Sequence, residues 1–320
     1  MVRVALAGDT MLGRGVGQRL LEVGPKGLFT RGVTDAVADA DLFLLNLECC
    51  ISDRGTRWGR AGKPFFFRAP PVAAHTLSWL GVDCVNLANN HALDFGPDAL
   101  ADTIAALRGA GIACVGAGAD ERQARAPAVI TVGAQRVAII GATDHPEDYA
   151  AGPGTPGVAY ADLDQGVPDW LRDAIANADA DLVIVTVHWG PNMTTEPMGY
   201  IRSAARELRE AGATLVAGHS AHVFHGVQDS IIFDLGDFID DYAVDSLVHN
   251  DLGVIMLADL DTGGLTRLEV IPIALDYALT RRASPSEYAW IRERFTSACE
   301  EFGTAVTDAG DRLVVSWADA

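Results

Sequence analysis

The chain is poor in basic residues, in cysteine and in long apolar runs, and each shortage removes a class of protein. Its 24 Lys and Arg stand against 43 Asp and Glu, a formal charge of −19 over 320 residues, so the surface field repels polyanions and argues against a general nucleic-acid binder. The five cysteines are odd in number, form no C-x-x-C pair and sit mostly in apolar contexts, where a thiol behaves as a small hydrophobe. That usage points to a reducing, cytoplasmic compartment. The longest apolar stretches, such as Leu182 to Val187, fall far short of the roughly 20 residues that a membrane-spanning helix needs. The opening residues, Val2 to Ala7 followed by Gly8 and Asp9, lack the regions of a signal peptide and read as a strand. No repeat, low-complexity tract or Ser/Gly linker divides the chain, and a single domain over 1–320 is expected.

What is abundant is the short Val/Ile/Leu-rich run after a helix-like segment and a Gly or Asp turn, the pattern of βα units around a buried sheet. Helix punctuation is clear in two places. Pro97 opens Asp98 to Arg108, closed by Gly109 and Gly111. Ser284, Pro285 and Glu287 supply a cap, a first-turn proline and a capping-box glutamate before Tyr288 to Glu301. Residues 243–320 are expected to form two or three strands besides that helix.

The strand ends carry the chemistry. Val2 to Ala7 runs into Asp9, Leu42 to Leu45 into Asn46 and Glu48, Cys84 to Ala88 into Asn89, Asn90 and His91, Leu182 to Val187 into His188, and Thr214 to Ala217 into His219 and His222. In open α/β sheets ligands bind beyond the carboxyl ends of the strands, so five such ends deliver these groups to one rim. Carboxylates, amides and neutral imidazoles are a mixed oxygen and nitrogen donor set for one or two divalent metal ions, Mn, Zn, Fe, Mg or Ca. Thiolate ligation is not indicated.

Gly8-Asp9, Asn46-Leu47-Glu48, Leu87-Ala88-Asn89-Asn90-His91 with Asp94 and Gly96, the Gly116-Ala117-Gly118 turn, His188-Trp189-Gly190, and Gly218-His219 with His222-Val223 together resemble the CapA/PgsA family of poly-γ-glutamate capsule biosynthesis, related to calcineurin-like metallophosphoesterases. The likeness runs from residue 4 to about residue 242. It implies an α/β fold, a metallophosphoesterase-like αββα sandwich of two mixed sheets flanked by helices, with a family-like core over 1–242. It implies Asp9, Glu48, Asn90, His188, His219 and His222 as metal ligands and His91 as an acid/base, its ring oriented by Asp94. Two departures stand out. Met11 occupies the place of the histidine in the phosphoesterase G-D-x-H motif, and Asp237 brings a carboxylate where the family usually has an amide; Asp237 joins His91 and Asp94 as a candidate catalytic group. Asp234, Asp237, Asp240 and Asp241 are either a second acidic cluster near the metal or, Asp237 apart, a solvated loop.

One stretch reverses the global charge. Arg54, Arg57, Arg60, Lys63 and Arg68 are interleaved with Trp58 and Phe65 to Phe67, with no acidic residue between them. Guanidinium groups bind carboxylate or phosphate bidentately, so Arg57, Arg60 and Arg68, with Arg14, are candidates for holding an anionic substrate. Three functions compete: a metal-dependent enzyme acting on a peptidyl or γ-glutamyl amide or carboxylate, including epimerisation by Cα proton transfer; a phosphoesterase; and a non-catalytic component of polyglutamate synthesis. The expected partner is a small peptide or glutamyl compound, with no nucleic acid and no membrane segment.

Overall fold

The structure is a computed structural model describing residues 1–58 and 62–317. Two mixed sheets face one another. The larger runs, in spatial order, through strands Thr307–Asp308, Leu313–Ser316, Gly264–Asp276, Leu252–Asp261, Val2–Thr10, Leu42–Leu47, Cys84–Asn86 and Ala113–Val115. Leu279–Arg282 adds to Gly264–Asp276, and Asp237–Ile239 pairs parallel to the end of the first strand. The smaller sheet runs through Val227–Gln228, Ile231–Ile232, Leu215–His219, Leu182–His188, Gln135–Thr143 and Ala128–Val132.

Strict alternation explains the layers. Val2, Val4 and Leu6 turn to the space between the sheets, where they meet Val137, Ile139, Leu182 and Ile184 of the smaller sheet. Their neighbours Ala5 and Ala7 turn the other way, onto Val16, Leu20, Leu77 and Leu100 of helices Arg14–Val23, Ala73–Leu80 and Gly96–Gly109. On the far side Ala138, Ile140, Val183 and Val185 pack on Leu171, Ile201 and Leu208 of helices Asp169–Ala176 and Gly199–Glu210. Both faces of each sheet are covered, so strand residues read as apolar runs in sequence while still alternating in space. The αββα sandwich expected above is the architecture found.

The punctuated helices form, over Gly96–Gly109 and Pro285–Glu300. In the second, the Ser284 N–H donates to Glu287 Oε2 at 2.6 Å. The C-terminal expectation of two or three strands is too low: residues 252–316 supply five. The excess lies in short pieces that need no long apolar run of their own: Leu279–Arg282 and Leu313–Ser316 pair with a long hairpin, and Thr307–Asp308 pairs with Leu313–Ser316. That hairpin, Leu252–Asp261 with Gly264–Asp276, pairs directly with the first strand. Among the described residues no helix is long and apolar enough to cross a membrane.

Candidate metal centre

The carboxyl ends of the parallel strands of both sheets meet at one edge. Asp9 arrives there through an irregularity: against Leu42–Leu47 the pairing slips between Ala7 and Asp9, and against Asp237–Ile239 it slips between Asp9 and Thr10. Such a bulge re-aims a side chain. It depends on Gly8, where a Cβ would lie 1.8 Å from the Gly236 carbonyl oxygen, and on the Asp9 N–H to Gly236 O bond of 2.8 Å. Asn46, one strand over, donates its amide to Asp9 Oδ1 at 2.7 Å, and the Asn86 and Asn89 amides donate to Asn46 Oδ1. Thus the asparagines of the motif orient a carboxylate.

His188 and His219 end adjacent parallel strands in register. The chain then turns sharply, with Ser220 at φ 110° and His222 at φ 60°, conformations that cost free energy unless the surroundings impose them. Here they are imposed by Asp234, which accepts from the Ala221 and Gly236 N–H groups at 2.9 and 2.8 Å, and by Asp9, which accepts from the Ser220 N–H. His222 Nδ1 lies 2.8 Å from Asp237 Oδ1 and 3.4 Å from Asp9 Oδ2; His219 Nδ1 lies 3.7 Å from Asp9 Oδ1. His188 Nε2 is 3.6 Å from Glu48 Oε1. All these side chains are buried.

Many of the converging atoms have no hydrogen-bond partner among the described residues: Glu48 Oε1, both ring nitrogens of His188, His219 Nδ1, Asn90 Oδ1 and Asp237 Oδ2. Buried polar atoms are normally paired. Two overlapping sets, Asp9 with His222 and Asp237, and Asp9 with Glu48 and His188, bring ligand atoms within 4.8 Å of one another. Asp9 belongs to both. The donor chemistry and the unpaired lone pairs fit a divalent cation held by oxygen and nitrogen.

The electrostatics agree. Burial lowers His188 to about 4 and His219 to about 3, keeping both imidazoles neutral with lone pairs available. Burial, together with Glu48, raises Asp9 well above the usual carboxylate range, and burial lifts Asp237 as well and Asp234 to about 7. Burial opposes ionisation of Glu48 too, but His222 and His188 outweigh it and hold that carboxyl low. His222 is raised despite burial, by Asp237 and Glu48. A site that packs this many carboxyls out of water holds protons where a cation is absent, and a cation displaces them.

His91 stands beside the cluster. Its Nδ1 is 2.6 Å from Asp94 Oδ2, its Nε2 is 3.9 Å from Glu48 Oε1, and the Phe67 ring stacks on it at a centroid distance of 3.9 Å. A cavity of about 300 Å³ opens over His91 and His222, walled by Arg14, Phe65, Phe67 and Tyr242. Arg14 pairs with Asp241 at 3.1 Å, its guanidinium 5.4 Å from the Phe67 ring centre.

The basic stretch divides. Arg57 is exposed against the Phe66 ring, Arg68 lies over Phe95 and donates to Arg54 O, and Arg54 pairs with Asp102; Arg60 lies outside the described residues. Lys63 turns inward onto Asp94. Of the arginines singled out, the cavity is lined by Arg14. The run from Asp234 to Asp241 is not a solvated loop: Asp234, Asp237 and Asp240 are buried and the Asp241 carboxylate nearly so. Met11 is buried and accepts from the Gly13 N–H through its sulfur. Sequence reasoning missed Tyr242, whose hydroxyl donates to Glu48, and His145, whose ring centre is 5.0 Å from that of His188. The sole signal for Tyr242 is an aromatic residue closing an acidic run; His145 carries none.

Fold and site together define a two-sheet α/β protein with a buried carboxylate–imidazole centre at the common strand edge. Residues 3–242 match the family described as bacterial capsule synthesis protein PGA_cap, and the chain belongs to that family. It is similar to a Mycobacterium tuberculosis protein named "Probable polyglutamine synthesis accessory protein", 32% identical over 98% of this chain and 95% of that one. It is also similar to the capsule biosynthesis protein CapA of Bacillus anthracis, 28% identical over 84% of this chain and 66% of that one. Among solved structures, the sulfate thiohydrolase SoxB of Thermus thermophilus aligns with a TM-score of 0.43 and 15% identity, covering 83% of this chain and 46% of that one.

Proposed function

We propose that this chain is a metal-dependent enzyme that acts on the amide or carboxylate of a glutamyl or peptidyl substrate. The observation that carries the proposal is the convergence of unpaired, buried ligand atoms from Glu48, His188, His219 and Asp237 around Asp9, with His91 alongside. Asp9, Glu48, Asn90, His188, His219, His222 and Asp237 would hold one or two divalent ions. A bound divalent cation would polarise a carbonyl or carboxylate oxygen there.

The remaining roles belong to this chain's own side chains. Arg14, on the cavity wall, binds a substrate carboxylate. Phe65, Phe67 and Tyr242 exclude water from the same space, which strengthens that pairing. His91, fixed through Nδ1 by Asp94, moves a proton at Nε2, so both amide cleavage and exchange of a Cα proton are within its reach. The family membership supports a glutamyl chain as the substrate, and a role in polyglutamate synthesis comes from the names of the relatives.

Elemental mass spectrometry of the purified protein beside His219→Ala and Asp237→Asn, followed by incubation with γ-glutamyl oligomers in D₂O, tests the reading. Metal in the wild type that is lost in folded variants, with amide cleavage or Cα deuterium uptake, is the expected result. A protein that stays metal-free after reconstitution overturns it. Metal without any reaction moves the chain to the accessory reading that its mycobacterial relative's name carries.

A further inference from the structure

A second cavity, of about 400 Å³, is lined by Thr195 and Glu196 of one loop and by a face of the helix Pro285–Glu300 that contributes Trp290, Glu293 and Arg294. That volume lies in the range of small-molecule sites, and none of the proposed metal ligands borders it. The helix lies beyond residue 242 and so outside the family match. It is held firmly in place: Ile291, Phe295 and Cys299 are buried, and a Cβ on Gly226 would lie 2.2 Å from the Ala298 carbonyl oxygen.

Arg294 is the anomaly in this wall. Its Nε and Nη2 are buried and have no hydrogen-bond partner, whereas buried polar groups are normally paired. The guanidinium lies instead against the rings of Phe224 and Trp290, 5.6 and 5.7 Å from their centres. Burial lowers its pKa, and no carboxylate acts in the other direction. Beside it His225, itself buried, donates through Nε2 to the Thr194 carbonyl at 2.9 Å and keeps Nδ1 without a partner.

The carboxylates of the cavity are placed elsewhere. Glu196 and Glu301 share Arg202, at 3.6 and 3.9 Å. Glu293 has no hydrogen-bond or ion-pair partner among the described residues. Adjacent positions on a helix do not face each other, so Glu293 and Arg294 present opposite charges to one space without neutralising one another. A polyanion does not suit a cavity that three glutamates line. A ligand carrying a carboxylate and an ammonium together does.

We propose that this cavity binds an α-amino acid head, a carboxylate and an ammonium on one carbon. Arg294 takes the carboxylate through its two parallel N–H groups, Glu293 takes the ammonium, and Trp290 flanks the stem. A free amino acid and the amino end of a γ-linked glutamyl chain both present that head. The site is separate from the metal centre and does not rest on the reaction proposed there.

The test uses the full chain labelled with 5-fluorotryptophan, zinc-loaded and chelator-treated, read by ¹⁹F NMR, with the Trp290 signal assigned by its loss in Trp290→Phe. The probes are D- and L-glutamate, γ-glutamylglutamate, glutarate and butylamine. The first three are expected to move the Trp290 signal saturably with or without zinc, and the last two to bind at least about tenfold more weakly, since each lacks one of the two charges. Arg294→Lys, which keeps the charge without the fork, and Glu293→Gln are each expected to weaken glutamate by about tenfold at an unchanged denaturation midpoint. Tighter binding of γ-glutamylglutamate than of glutamate assigns the site to a chain end; equal or weaker binding assigns it to a free amino acid. The proposal is overturned if none of the first three moves the signal, if glutarate binds as tightly as glutamate, or if both folded variants bind like the wild type. A shift seen only with zinc places the ligand at the centre and overturns it as well.

Discussion

The Tyr242 hydroxyl donates to Glu48 Oε2 at 3.2 Å, joining residues 194 positions apart. The other oxygen of Glu48 has no hydrogen-bond partner among the described residues and faces His188 and His91. One oxygen is therefore anchored so that the other is presented. Partners of this kind contribute roughly 10- to 100-fold to metal affinity. Tyr242→Phe, which keeps the ring over Phe67 and His222, is expected to weaken zinc binding by about tenfold in competition with a chromogenic chelator. Unchanged affinity would show that Glu48 is held by its backbone alone.

Asp9 is expected to have opposite effects with and without metal. In the metal-free protein its burial and the nearby Glu48 oppose ionisation, so Asp9→Asn, which can still accept from Asn46, relieves repulsion and raises the denaturation midpoint of chelator-treated protein. In saturating metal the wild type gains stability by linkage, about 2.7 kcal/mol at a hundredfold excess over Kd, and Asp9→Asn gains little. Thermal denaturation of both proteins under both conditions reads the crossing; parallel curves would remove Asp9 from the ligand set.

Gly8 and Gly109 make a matched pair of glycine substitutions. A Cβ at Gly8 meets the Gly236 carbonyl at 1.8 Å, whereas one at Gly109 meets nothing within 4 Å. Gly8→Ala is expected to cost about 3 kcal/mol or more, since backbone rather than a flexible side chain must give way, and to lower metal content as Asp9 shifts. Gly109→Ala, at the end of a helix, is expected to be neutral or stabilising by up to about 1 kcal/mol. Urea denaturation compares them.

His225 gives stability a pH dependence away from the ligand cluster. It is 2% exposed, and burial, with help from Arg294 and Arg202, lowers it to about 4. The unfolded chain binds a proton near pH 6.5 that the folded chain refuses until about pH 4, so stability is full above pH 6.5 and falls as pH drops through that window. The loss amounts to roughly 3 kcal/mol. A His225→Gln variant is expected to show a flatter profile between pH 7 and pH 4 in urea denaturation, and an equally steep one would assign the slope elsewhere.

The strand-end groups were legible because a buried sheet leaves its polar residues few places to go: Asp9, Glu48, His188 and His219 each close a predominantly apolar run. The alternation within those runs was invisible, since Val4 and Ala5 face different layers yet are equally apolar. Tyr242 and Lys63 escaped for another reason. Their meaning lies in contacts across 194 and 31 residues, and neither sits at a spacing that any local rule marks. Lys63 also misled, because a lysine among arginines reads as surface charge until its three donors are counted. The final strands were undercounted because pairing to an existing edge needs little intrinsic β pattern.

The pairing of Asp9 with Asp237 at the irregular end of the first strand also bears on how the chain is made. The nascent N-terminal segment carries three of the seven donors, Asp9, Glu48 and Asn90, long before the remainder leaves the ribosome, and closing so long a loop is slow compared with forming local helices. Early segments thus emerge with exposed carboxylates and no partner histidines, and the centre assembles only as the two sheets come together. Cation capture in that sequence is a late event that locks a nearly finished molecule, and a chain cut before residue 237 would lack the Asp237 carboxylate of one of the two overlapping sets.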